Sequence, residues 1–146
     1  MTNILLIFTD GSCSKTHCGI GIFFPNNEYK NVSQKFPLEN PTNQRAELYA
    51  IYEALNIIKN DKYDKVIIYS DSVYSINSVT KWIINWKQNN WKTANKQDVK
   101  NKDIIIKIDE LIKPNIEFKH IKAHTNLQDY FSLCNDKADK LAKCEK

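Results

Sequence analysis

Ile4-Leu5-Leu6-Ile7-Phe8-Thr9-Asp10-Gly11-Ser12 and Lys65-Val66-Ile67-Ile68-Tyr69-Ser70-Asp71 decide how this chain is read. Each is a short apolar run that ends on an aspartate. Runs of this length, rich in isoleucine and bounded by polar residues, read as buried strands. The two-residue period of a strand puts Leu6, Phe8 and Asp10 on one face, and Ile67, Tyr69 and Asp71 on one face. The first run is expected to stop at Asp10-Gly11-Ser12, a turn signal. If the two strands are neighbours, their terminal carboxylates stand side by side at one end of a sheet.

The elements around these runs support that placement. Gly19-Ile20-Gly21-Ile22-Phe23-Phe24 reads as a second strand, halted by Pro25-Asn26-Asn27, and the alternation from Tyr29 to Phe36 reads as a third. Together with the first they form an antiparallel meander. Thr42 to Asn60 reads as a helix, with Leu48, Ile51, Tyr52, Leu55 and Ile58 at helical spacing and Thr42 as N-cap behind Pro41. A strand reached through a helix pairs in parallel, so the Lys65–Asp71 strand is expected beside the first. Helical segments follow from Ser72 to about Trp86 and from about Lys100 to Ile112, where Pro114 ends the run. Ile116 to Ile121 reads as a fifth strand. A polar loop then leads to a last helix, expected from about Asn135 to Lys143.

The bulk properties agree with one α/β domain spanning residues 1–146. The chain has 146 residues, 42% hydrophobic and 26% charged, which suits a globular domain with a real core. No apolar run approaches the ~20 residues of a membrane helix, and Met1-Thr2-Asn3 lacks the basic start of a secretory signal. A cytoplasmic, monomeric protein without membrane contact is the expectation. The net charge of +4 is a weak pointer to a polyanionic partner. Cys13, Cys18, Cys134 and Cys144 form no C-x-x-C pair, and the cluster of Cys13, His17 and Cys18 matches no usual zinc spacing. Four reduced thiols are the plain reading.

Two further acids join the strand-end pair. Glu47 lies about 40° from Ile51 at ~100° per residue, so it points with the buried side of its helix. On the last helix, Asp139 borders the stripe of Cys134, Ala138, Leu141 and Ala142, whereas Asp136 faces away. Singly, such acids are turn formers, caps or boundary ion pairs. Jointly they make a site for a hard cation, because Mg²⁺ takes oxygen ligands and converging anions need a positive charge between them. Two such ions can activate a water and stabilise the leaving oxygen of an in-line phosphodiester displacement. No Ser/His/Asp arrangement is apparent.

At this point the chain resembles the type 1 ribonuclease H family. The matching segments are Phe8-Thr9-Asp10-Gly11-Ser12-Cys13, Thr42-Asn43-Gln44-Arg45-Ala46-Glu47, Tyr69-Ser70-Asp71-Ser72, Asn85-Trp86 with Trp91-Lys92-Thr93-Ala94, Val99-Lys100-Asn101, Lys122-Ala123-His124 and Asn135-Asp136-Lys137-Ala138-Asp139-Lys140-Leu141-Ala142. They run in family order from about Ile4 to Lys143. The resemblance implies the ribonuclease H-like fold: a mixed five-stranded sheet, strands one to three antiparallel, four and five parallel to strand one, flanked by helices. It implies an endonuclease that hydrolyses the RNA strand of RNA–DNA hybrids with two Mg²⁺ ions (Mn²⁺ as a substitute), leaving 5′-phosphate and 3′-hydroxyl ends.

The resemblance also implies roles. Asp10, Glu47, Asp71 and Asp139 would be the catalytic metal-binding acids, with Asp10 shared between the ions, and His124 would assist proton transfer or product release. Asn43 and Gln44 match residues that reach the hybrid's minor groove, and Cys13 sits where the family approaches the RNA ribose; 2′-hydroxyls there mark a strand as RNA. Lys81, Lys87, Lys92, Lys96, Lys100, Lys102 and Lys107 outweigh Asp98 and Asp103, with Trp82, Trp86 and Trp91 interleaved. This stretch resembles the family's basic protrusion, at about 81–102. Trp82 is the candidate DNA-facing aromatic, and Lys87, Lys92 and Lys96 are candidates for phosphate contact. At least one of the three tryptophans is expected in the core. Two departures stand out: ten residues without glycine, Thr125 to Cys134, separate His124 from the expected last helix, and Val73 stands where many relatives carry a polar side chain. Strand one begins almost at the N-terminus, so affinity is expected to come from this domain alone.

Overall fold

The computed structural model describes residues 3–123 and 129–144; His124 lies outside the described residues. Strand β1, Ile4–Cys13, is the centre of the molecule. It pairs antiparallel with β2, Cys18–Phe23, which pairs antiparallel with β3, Val32–Lys35. On its other side β1 runs parallel to β4, Lys65–Ser70, and β4 runs parallel to β5, Ile116–His120. The sheet order is β3-β2-β1-β4-β5. The expected pairing of the two apolar runs is therefore met, with Ile4 opposite Lys65 and Phe8 opposite Tyr69.

Helix α1, Asn43–Ile58, covers one face of the sheet. Its start follows from Thr42, whose side chain accepts the Arg45 N–H at 3.1 Å. Its buried stripe of Leu48, Ile51, Leu55 and Ile58 meets Leu5, Ile7, Ile20 and Ile22 in the main core. Each such side chain stabilises the fold by about 1.5–3 kcal/mol on burial. Ser72 caps α2, Val73–Thr80. A break at Lys81 separates it from α3, Trp82–Gln88, and α4, Lys102–Leu111, follows. On the opposite face lies α5, Tyr130–Ala142, over Phe8, Ile67 and Tyr69. Among the described residues no helix is long and apolar enough to cross a membrane.

Two sequence expectations are corrected. Asp10-Gly11-Ser12 is not a turn: β1 continues to Cys13, and the chain reverses at Ser14–His17, where the Ser14 N–H donates to the His17 carbonyl at 2.7 Å. The last helix begins at Tyr130, five residues ahead of the expected Asn135, so the stretch after His124 is much shorter than the sequence suggests. Phe131 explains the early start. Its ring lies 5.4 Å from Tyr69 and 6.4 Å from Phe8, anchoring the first turn to the sheet.

The chain has only three glycines, and none has a positive φ. Each marks a place where helix backbone touches strand. A Cβ on Gly11 would stand 2.3 Å from the Glu47 nitrogen on α1, and one on Gly21 would stand 2.2 Å from the Ala138 carbonyl on α5. Gly21→Ala is expected to force α5 off the sheet and lower unfolding free energy by about 1–3 kcal/mol, the usual cost of overpacking. Urea denaturation of the variant against the parent chain checks this.

Candidate active site

The β1–β4 ladder ends at Phe8 and Tyr69, and the next residues on the same faces are Asp10 and Asp71. The two aspartates thus flank the point where the central strands part. Glu47 reaches the same point from α1 on the other face of the sheet, because Gly11 lets that helix lie against β1. Carboxylate oxygens of Asp10, Glu47 and Asp71 lie within 4.8 Å of one another. Asp139, from α5, lines the same cleft together with Gly11, Ser12, Asn43, Ala123 and Lys143. All four predicted acids therefore converge, and Asp139 is the one of the two late aspartates in the cleft.

The electrostatics of this cluster are strained. Asp10 is 3% and Glu47 8% exposed. Burial first, then the hydrogen bond and charge of Glu47 and the charge of Asp71, push the Asp10 carboxyl far above the usual range. Burial likewise raises Glu47, helped by the charges of Asp71 and Asp139 and opposed by the hydrogen bonds from Asp10 and the Gly11 N–H. That N–H donates to Glu47 Oε1 at 2.9 Å. Glu47 Oε2 is buried with no hydrogen-bond partner among the described residues. A buried acceptor without a donor, in a group of oxygen ligands with no histidine or cysteine among them, fits a hard divalent cation. The cluster Cys13, His17 and Cys18 does not assemble: among the described residues only the three acids form a metal-capable group.

The substrate-side residues occupy the rim. Asn43 lines the cleft, and its Oδ1 accepts the Cys13 N–H at 2.8 Å, tying α1 to the end of β1. Gln44 and Cys13 are half-buried beside it. Trp82 is 40% exposed, with its ring 5.9 Å from Tyr74. Trp86 and Trp91 pack against the main core, as expected of at least one tryptophan. Lys87 pairs with Asp109, and Lys92 with Asp98. Lys96 is exposed and, like Trp91, holds a positive φ of 61°, an uncommon backbone for residues of their kind. Val73 is 54% exposed at the start of α2.

The family model for RNase H matches residues 2–146. The chain belongs to the ribonuclease H family. It is 43% identical over 141 residues to ribonuclease HI of Haemophilus ducreyi, covering 94% of this chain and 86% of that one. Ribonuclease H of Clostridium botulinum is 39% identical over 145 residues, covering 94% and 92%. Ribonuclease H1 of Rattus norvegicus is 34% identical over 149 residues; this chain spans about half of its length. The solution structure of the PFV RNase H domain superposes with a TM-score of 0.72 at 26% identity, covering 99% of this chain and 93% of that one.

One residue of the cleft and one that positions its rim escaped the sequence reading. Lys143 lines the cleft and pairs with Asp139 at 3.0 Å; the i,i+4 spacing was the available signal. Arg45, next to Gln44, makes a bidentate pair with Asp103 and donates to Asn101, whose amide donates to the Tyr74 hydroxyl. This network fixes the first turn of α1 to α4. Nothing in local spacing links Arg45 to Asp103.

The raised acids set a pH dependence. A carboxyl that binds its proton more tightly folded than unfolded costs stability once the unfolded group ionises. In the metal-free protein the stabilising contribution of Asp10 and Glu47 is therefore expected to be fully present below about pH 4, the unfolded carboxyl range, and to be lost as pH rises toward the raised folded values. Asp10→Asn is expected to recover roughly 1 kcal/mol or more at neutral pH, the worth of one unit of displacement. Added Mg²⁺ is expected to stabilise the parent more than the variant. Thermal unfolding from pH 4 to 8, with chelator and with Mg²⁺, checks both.

Proposed function

We propose that this chain is an endoribonuclease that hydrolyses the RNA strand of RNA–DNA hybrids, giving 5′-phosphate and 3′-hydroxyl ends. The observation that carries the reading is the convergence of Asp10, Glu47, Asp71 and Asp139 in one open cleft, in a chain of the ribonuclease H family.

The four acids would hold two Mg²⁺ ions, with Mn²⁺ as a substitute and Asp10 common to both. When bound, the ions supply the positive charge and Lewis acidity that an in-line phosphodiester displacement needs. The chain's own residues do the rest. Glu47 and Asp10, held by the Gly11 N–H, keep their oxygens aimed into the cleft. Asn43 and Gln44 on the first turn of α1 address the minor groove, where 2′-hydroxyls distinguish RNA from DNA, and Cys13 lies beside them. Trp82 offers a face to the DNA strand, and Lys87, Lys92 and Lys96 neutralise its phosphates. His124 assists proton transfer or product release.

Cleavage of a labelled RNA–DNA hybrid, with RNA–RNA and DNA–DNA duplexes as controls, with and without Mg²⁺, tests the reading. Only the hybrid is expected to be cut, only in its RNA strand, and only with metal. Asp10→Asn and Asp71→Asn are expected to be inactive and folded. His124→Ala is expected to slow turnover by about 10–100-fold, the low end of acid–base assistance. Near-normal turnover by Asp10→Asn would sink the assignment, and a His124→Ala variant as dead as Asp71→Asn would sink the auxiliary role.

Neutralising Lys87, Lys92 and Lys96 together is expected to weaken hybrid binding with little effect on the rate at saturation. The slope of log affinity against log salt is expected to flatten by roughly two to three units. A salt titration of hybrid binding in chelator reads it, and an unchanged slope would reduce these lysines to a solvated face.

A further inference from the structure

Cys13 and Cys18 stand directly opposite each other on the last rung of the β1–β2 pair, just before the Ser14–His17 reversal. The Cys13 N–H is turned to Asn43 Oδ1 at 2.8 Å, and the Cys18 carbonyl accepts the Phe36 N–H at 2.8 Å. Neither group is used across the rung, and the next pair along, Ser14 and His17, carries the strand-to-strand bond. The cysteines therefore occupy a non-hydrogen-bonded antiparallel position. Facing Cα atoms there lie about 4.5 Å apart with side chains drawn together, inside the roughly 4.4–6.8 Å that a disulfide spans. Both side chains lie on the α1 face: Cys18 is buried in the main core, and Cys13 packs against it.

We propose that Cys13 and Cys18 form a dithiol–disulfide site on the substrate-side rim, oxidised by a low-molecular-weight disulfide of the glutathione type. Cys13, half-exposed, is the entry thiol. Its thiolate attacks one sulfur of the small disulfide, forming a mixed disulfide and releasing one small thiol. Cys18 then gives up its proton to solvent and attacks the Cys13 sulfur, forming the cross-strand bond and releasing the second small thiol. Two protein thiols are oxidised and one small disulfide is reduced to two thiols. Burial, then the contact with Cys13, pushes the Cys18 thiol up to about 12, which keeps it from reacting first.

The bond would turn the Cys13 sulfur inward and strain the rung that holds Asn43. Oxidised chain is therefore expected to bind hybrid about 5-fold or more weakly, the low end of ordinary coupling between sites; this arm rests on the function proposed above.

The test uses the full chain with Cys144→Ser, which removes an exposed competing thiol. Oxidised glutathione is added, and intact mass with peptide mapping is read. The expected product is two hydrogens lighter and contains a Cys13–Cys18 linkage. With Cys18→Ser added, the reaction is expected to stop at one glutathionyl group on Cys13; with Cys13→Ser added, Cys18 is expected to stay free. A parent chain that keeps both thiols free, or that accumulates the Cys13 adduct without closing the bond, overturns the site. Hybrid affinity of reduced and oxidised chain is then compared in chelator. Equal affinity in a chain that binds hybrid overturns the link to the rim; no binding by either form is a failure of the functional reading, and the mass result stands apart from it.

Discussion

Helix α1 rests on strand β1 and helix α5 on strand β2 with backbone against backbone, and the site depends on those two contacts. Gly11 admits the Ala46–Glu47 backbone, and Gly21 admits Ala138 and Ala142. Any side chain at either point would hold the helix off by the width of a methyl group or more. Glu47 would then fall short of Asp10, and Asp139 would leave the cleft. The ends of α5 are secured as well: Phe131 packs on Tyr69 at the start, and at the far end the Ser33 hydroxyl donates to the Leu141 carbonyl at 2.6 Å. Gly19 clears the space under Ala142 in the same way. A chain so poor in glycine has kept it only where two backbones meet.

That close packing sets the electrostatic problem the site embodies. Three carboxylates within 4.8 Å, two of them nearly excluded from water, repel one another. The Gly11 N–H serves both Asp10 and Glu47, yet among the described residues Glu47 Oε2 has no partner. Metal-free, the arrangement costs stability. The same burial strengthens the attraction for a cation, because opposite charges interact more strongly away from bulk water. Two positive side chains near this centre are engaged at its edges. Lys143 balances Asp139 at the exposed edge, and Arg45 is held by Asp103 away from the acids.

Four of the left-handed backbone positions among the described residues fall to asparagine. Asn27, Asn40, Asn90 and Asn101 all have φ between 54° and 65°, the left-handed region that asparagine tolerates better than most residues. Asn101 uses the position further, since its side chain links Arg45 to Tyr74 at the start of α4. Reading glycine as the turn signal therefore misplaced the end of β1. Asp10-Gly11-Ser12 looks like a reversal, but Gly11 is there for α1, and the strand runs on to Cys13.

Element type and order were legible because they rest on periodicity: alternation and apolar runs for the strands, and the Leu48–Ile51–Leu55–Ile58 stripe with Thr42 for α1. Asp10, Asp71 and the inward Glu47 were legible for the same reason, since a side chain's face follows from its period. The start of α5 was not, because Tyr130, Phe131 and Leu133 are ordered by contact with the sheet and stay 43–50% exposed, a pattern that local sequence does not separate from loop. The Arg45–Asp103 pair and the Cys13–Cys18 rung were equally hidden: each joins residues through register or helix packing. The sequence by itself determined which residues carry charge, which faces are apolar and where strands and helices form, since these depend on neighbours along the chain. Only the tertiary structure decided how near the acids come, which of them lose water and which thiols face each other. Those depend on distances between elements, set by backbone contacts at Gly11 and Gly21 that no local pattern reports.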